Sequence, residues 1–211
     1  RRRAEGARSG SGDAASVRRA ERDPETMTAA NRSSIHPRPP QGAAGAFADP
    51  LSPAGLAASP GQAALIVLGA GAAATVAFDL YGQAISPLLG AAALAPVPLA
   101  RQTLQTTFGW DSGAGAHLLH YIAGLVAYPL GWLLIARPLA RRLAPGLPEL
   151  AAAALWGVGL WVFAIGIMAS LVNGNAFFLG FTGITWVALA GHVLFALVCA
   201  WALRRMSGAG G

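Results

Sequence analysis

The chain contains no lysine, one cysteine and few charges, which make up 11% of its 211 residues. Each shortage excludes a class of chemistry. Cys199 alone cannot form an internal disulfide. Without lysine there is no phosphate-cradling loop of the Gly-rich, Lys-ended kind, and Gly69-Ala70-Gly71 sits inside an apolar run, where it is a packing feature. Gly-x-Ser-x-Gly, His-Glu-x-x-His and Cys-x-x-Cys are all missing. Enzymatic activity is therefore not expected, and a membrane-embedded metalloenzyme is the one enzymatic class left open.

Charge is scarcest in four long apolar runs, residues 62–85, 116–136, 150–172 and 176–203, where Asp79 is the only ionised side chain well inside. A hydrocarbon core about 30 Å thick takes roughly 20 helical residues, and all four runs reach that length. Runs rich in Ala, Leu, Gly and Val without alternation suit helices, which satisfy their own backbone in lipid, better than barrel strands. The expected fold is all-α: a polytopic membrane protein with four transmembrane helices arranged as two antiparallel hairpins. Hydrophobic residues at 55% agree. The net charge of +6 forms no basic face, since seven of the fifteen arginines lie in residues 1–22 and most others flank the apolar runs. That distribution argues against nucleic acid as a partner and for a lipid bilayer.

Residues 1–60 carry Pro, Ser, Ala and Gly without helical periodicity and read as a disordered polar segment. Residues 1–26 are either a true tail or untranslated leader preceding a start at Met27. No small-residue cleavage site follows the first run, so that run is expected to stay in the membrane. Residues 61–205 form the transmembrane domain, and 206–211 a flexible C-terminus.

Basic residues near helix ends favour the cytoplasmic side. Arg32 and Arg38 precede the first run, Arg137, Arg141 and Arg142 follow the second, and Arg204 and Arg205 follow the fourth. Both termini are thus expected in the cytoplasm. On the far side, Asn173-Gly174-Asn175 reads as a tight turn. The outer loop 86–115 contains LARQTLQTTFGW, read as a short interfacial helix ended by Gly109 with Trp110 at headgroup level.

A faint repeat sets His120 with Gly124-Leu125-Val126 against His192 with Ala196-Leu197-Val198. Close packing is expected where Gly69 shares a face with Ala73 and Ala70 with Ala74, and at Gly159, Gly166 and Ser170. Pro129 should kink the second helix by releasing the carbonyl of Leu125, making it a candidate hinge.

The polar residues in the spans carry any chemistry. Asp79 is expected about 8 Å below the outer interface, and His117 and His120, three apart, on one face at comparable depth. Three readings compete: a helix-tying hydrogen bond from His120 or Tyr81 to Asp79, a metal site on Asp79, His117 and His120, and a proton or substrate relay. Haem ligated by His120 and His192 is disfavoured by a large expected difference in depth, about 6 Å against about 22 Å. His192 is expected to be a hydrogen-bonded histidine facing the bundle interior. No cofactor is predicted.

At FDLYGQ (78–83) and HLLHYIAGLVAYPLGW (117–132) the chain resembles uncharacterised small four-helix integral membrane proteins of bacteria, over roughly residues 62–205. The resemblance implies the fold and no settled activity. Abundant Ala, Gly and Arg without Lys suggests a GC-rich bacterial genome and so the inner membrane. Two functions are expected to compete: a non-enzymatic accessory subunit or assembly factor of a larger membrane complex, and a small transporter or ligand-binding protein using the Asp/His cluster.

Overall fold

The computed structural model describes residues 59–208. The polar segment 1–60 and the Met27 start therefore fall, but for residues 59 and 60, outside the described residues.

Every regular element among the described residues is helical. Four are long and apolar enough to cross a membrane: α1 (Pro60–Leu88), α3 (Gly113–Leu143), α4 (Glu149–Val172) and α5 (Gly183–Gly208). Between α1 and α3 lies α2 (Pro96–Phe108), stopped by Gly109 in the left-handed conformation at φ 67°. Glycine takes that conformation without a Cβ penalty, which is why the helix ends there. The multi-pass reading rests on these four helices and on what they turn outward. Leu65, Val76, Leu118, Leu155 and Leu171 are all more than half exposed, on surfaces that lipid would cover.

α5 is the most enclosed span and packs against both α4 and α1, while α1 also packs against the middle of α3. Ile66, Val67, Ala70, Ala74, Phe195 and Leu203 belong to the shared core. Glycine sets the closest approaches. A Cβ on Gly71 would lie 2.5 Å from the Leu125 carbonyl oxygen of α3, and one on Gly157 would lie 2.6 Å from the Val193 Cα of α5. Helices without a hydrophobic drive toward one another in lipid gain contact by such approaches.

Of the two small-residue faces expected on α1, the one bearing Ala70 and Ala74 is the packed one. Ala70 and Ala74 are fully buried, Ala73 is exposed, and Gly69 is covered by the Met206 side chain. Gly159 is likewise exposed, with Gly157 two residues earlier making the contact, whereas Gly166 does pack, against the Phe178 ring. Met206 reaches Gly69 because α5 remains helical to Gly208, beyond the flexible end expected from residue 206.

Besides the long π stretch Val162–Val172 of α4, three short π turns interrupt the spans, at Tyr81–Ile85, Ala123–Ala127 and Trp132–Ala136. Each short turn is followed, two residues on, by a proline: Pro87, Pro129 and Pro138. Proline lacks the N–H that would bond four residues back and its ring crowds that carbonyl, so widening the preceding turn relieves both problems. Pro129 is buried, and the Leu125 carbonyl it releases faces Gly71.

The connection after α4 is longer than a tight Asn-Gly-Asn turn. α5 starts at Gly183 instead of 176, because Phe178, Leu179, Gly180 and Phe181 all take positive φ, between 46° and 69°. A run of left-handed residues with side chains costs roughly 1–2 kcal/mol each, so it must be held in place. Ser170 Oγ accepts from the Phe178 N–H at 2.9 Å, and Thr185 Oγ1 donates to the Phe178 carbonyl at 2.6 Å. Trp161 Nε1 donates to the Thr185 carbonyl at 3.0 Å, and its ring packs on Phe178 at 4.7 Å.

The basic connection after α3 is also revised. Arg137, Arg141 and Arg142 lie within the final helical turns, and buried Arg137 donates to Glu149 of α4 at 3.1 Å.

Candidate functional site

α1 runs on to Leu88, which leaves Asp79 nine residues, about 13 Å, from that helix end. It is thus deeper than the five residues expected. Its carboxylate is satisfied from two directions. Gln83, one turn along the same helix, donates to Oδ1 at 2.9 Å. His120 of α3 places Nε2 3.1 Å from Oδ1 and 3.2 Å from Oδ2, joining the two helices. The His120 side chain is 12% exposed and that of Asp79 24%, so the pair is largely desolvated yet reachable.

Not all the predicted partners arrive. His117 is exposed and stacks on Tyr121 at 6.3 Å instead of turning to Asp79. The three-residue offset from His120 rotates it far enough to leave the interface. Tyr81, two residues beyond Asp79, points to the other side of α1 and packs on the core. Among the described residues no three His, Cys, Asp or Glu side chains converge, so the set Asp79, His117 and His120 is not assembled. Two potential donors, Asp79 and His120, remain together.

His192 is buried and its Nδ1 lies 2.7 Å from the Ala188 carbonyl one turn back. The expected gap in depth between His120 and His192 does not exist. With α3 beginning at Gly113 and α5 at Gly183, the two histidines lie about 10 Å and 13 Å from their helix starts. The Phe78 ring packs against both, at 6.5 Å from His120 and 5.1 Å from His192. A phenyl ring, and not depth, separates them. Leu94 covers this group from the loop side: it is buried, its N–H donates to the Gly82 carbonyl at 2.8 Å, and its side chain sits where a Cβ on Gly82 or Gly191 would be.

Asp79 also lines a groove between α1 and α3, about 490 Å³, with Ala72, Thr75, Val76, Leu80, Tyr121 and Leu125. Thr75 is 3% exposed and its hydroxyl oxygen has no hydrogen-bond partner. That oxygen sits against Gly124, where any side chain would collide with it. Thr75, Asp79 and Gln83 follow one another at four-residue intervals and so form a polar stripe on one helix face. Sequence reasoning missed Thr75 and Gln83, although that spacing was the signal that would have found them.

A second polar group lies between α2 and the loop after α4. Gln102 Nε2 donates to the Asn173 carbonyl at 3.2 Å, while Asn175 Nδ2 donates to Gln102 Oε1 at 3.1 Å and Asn173 Nδ2 to Thr103 Oγ1 at 3.0 Å. Arg101 pairs with Asp111 beyond α2. The guanidinium holds the Asp111 carboxyl below the usual carboxylate range through its hydrogen bond. With partners some seventy residues apart, the amide group leaves no local signature.

Compared against protein families, curated proteins and solved structures, the chain matches none of them.

Proposed function

We propose that this protein binds a small ligand within the membrane, as a transporter or ligand-binding protein, through Asp79 and His120. The observation that carries the reading is a carboxylate inside a spanning helix, hydrogen-bonded across to a second helix and lining an open groove. An acid in a spanning segment is costly, and a pair serving only to tie helices gains nothing from a groove beside it. The protein would sit in the bacterial inner membrane as two antiparallel hairpins with both termini cytoplasmic. Support for that arrangement comes from Arg141, Arg142, Arg204 and Arg205, all at span ends. The amide contacts that bring α2 to the loop after α4 support a shared outer side.

A second reading, an accessory subunit or assembly factor of a larger membrane complex, is favoured by one observation: Ala73 and Gly159 are small and turn outward, as a partner helix would need. Purification from native membranes in mild detergent, with bound metal, visible spectrum, small molecules and co-purifying proteins measured on one sample, separates the two. The ligand reading expects a small molecule lost in the near-isosteric Asp79→Asn and retained in Ala73→Leu. Arrival with a larger complex that Ala73→Leu removes and Asp79→Asn leaves intact would overturn it.

A further inference from the structure

The groove beside Asp79 has a definite chemistry. Its walls, Ala72, Val76, Leu80 and Leu125, are apolar, and its polar side chains are Asp79 and, at one side, Tyr121. A carboxylate has about four acceptor positions. Gln83 and one His120 contact occupy Oδ1, and Oδ2 meets only the second, 3.2 Å contact of the same His120 nitrogen. The Asp79 carboxyl is the acidic group of this groove, in surroundings where an unpaired charge is costly. The missing complement is a cation with several N–H donors.

We propose that this groove binds an amphiphilic primary amine. Its ammonium donates to Asp79 Oδ2, and its apolar body lies along Val76, Leu80 and Leu125. The inference rests on the reading of Asp79 and His120 as a ligand site and adds the class of ligand. Charge complementarity selects the cation, and the open acceptor positions of Oδ2 select a donor-bearing nitrogen over a quaternary one. Phosphatidylethanolamine carries the same ammonium at headgroup level, whereas Asp79 lies about 13 Å from the end of α1. The occupant is therefore a free amphiphile.

The test is calorimetric titration of the full chain, in phosphatidylcholine nanodiscs, with dodecylamine, dodecyltrimethylammonium and dodecanol. Dodecylamine should bind saturably at one site, about tenfold more tightly than either analogue. Asp79→Asn should remove that preference. Val76→Trp, at an outward position where folding is spared, should fill the groove and abolish binding. Dodecanol binding as tightly as the amine, with both weakened by Asp79→Asn and Val76→Trp, would overturn the ligand class while leaving the site intact. Binding that ignores both substitutions would overturn the site as well. Full competition by phosphatidylethanolamine would assign the groove to a lipid headgroup and overturn the free-amphiphile proposal.

Discussion

Replacing Gly157 by alanine should destabilise the bundle, whereas the same change at Gly159, two residues along the same helix, should not. A methyl group on Gly157 would lie 2.6 Å from the Val193 Cα and 2.7 Å from the His192 carbonyl oxygen, both backbone atoms that cannot swing aside. Ordinary contact begins near 3.4 Å, so α4 and α5 must part by about 0.8 Å or bend. Forcing a methylene-sized group into a packed site costs about 1–3 kcal/mol, and alanine's higher helix propensity returns at most about 1 kcal/mol. The expected net loss for Gly157→Ala is therefore about 1–2 kcal/mol. At Gly159 the nearest atom is 4.0 Å away, so only the propensity gain remains and stability should stay level or rise by a few tenths of a kcal/mol. Reversible unfolding in mixed micelles, followed by tryptophan fluorescence, measures both variants. A difference of 2 kcal/mol is about a thirtyfold change in the folded-to-unfolded ratio. Equal stabilities, or a larger loss at Gly159, would refute the assigned α4–α5 contact.

Removal of the Glu149 carboxylate in Glu149→Ala strips Arg137 of a partner while it is 8% exposed, and should cost about 3 kcal/mol in the same unfolding assay. The double change Arg137→Met with Glu149→Met should recover most of that loss, since an apolar pair leaves no charge without its partner. Thr185→Val deletes the donor to the Phe178 carbonyl and should cost about 1–3 kcal/mol, with faster hydrogen exchange expected over residues 176–185.

Some of this molecule is legible in its sequence for a plain physical reason. Twenty apolar residues in a row have few places to go, so the four spans follow from length and composition, and the helix ended by Gly109 from the glycine that stops it. The pairing of Asp79 with His120 was one of the alternatives that burial of an acid demands. What could not be read was rotation about each helix axis. Ala73 and Ala74 differ by a single step in sequence and by the whole difference between surface and core. His117 and His120 look equivalent on a wheel, yet only one reaches Asp79. The aromatic run Phe177, Phe178 and Phe181 satisfies a hydropathy scan as the start of a helix. In the fold it becomes a left-handed turn, because Ser170, Thr185 and Trp161 capture its backbone or rings from elsewhere.

The prolines of α3 bear on how such chains change length. A π turn takes in one residue more than an α turn, so each of the two in α3 slips the phase of the residues beyond it by about 100°. A helical wheel drawn uniformly through Gly113–Leu143 would assign His120 correctly and misplace Arg137. Each widened turn is also a stored insertion. Deletion of one residue from 123–127 or 132–136, with the following proline replaced, would restore an unbroken α-helix and keep the residues beyond it on their original face. These two stretches are where a spanning helix, ordinarily intolerant of deletion, can shorten by one residue.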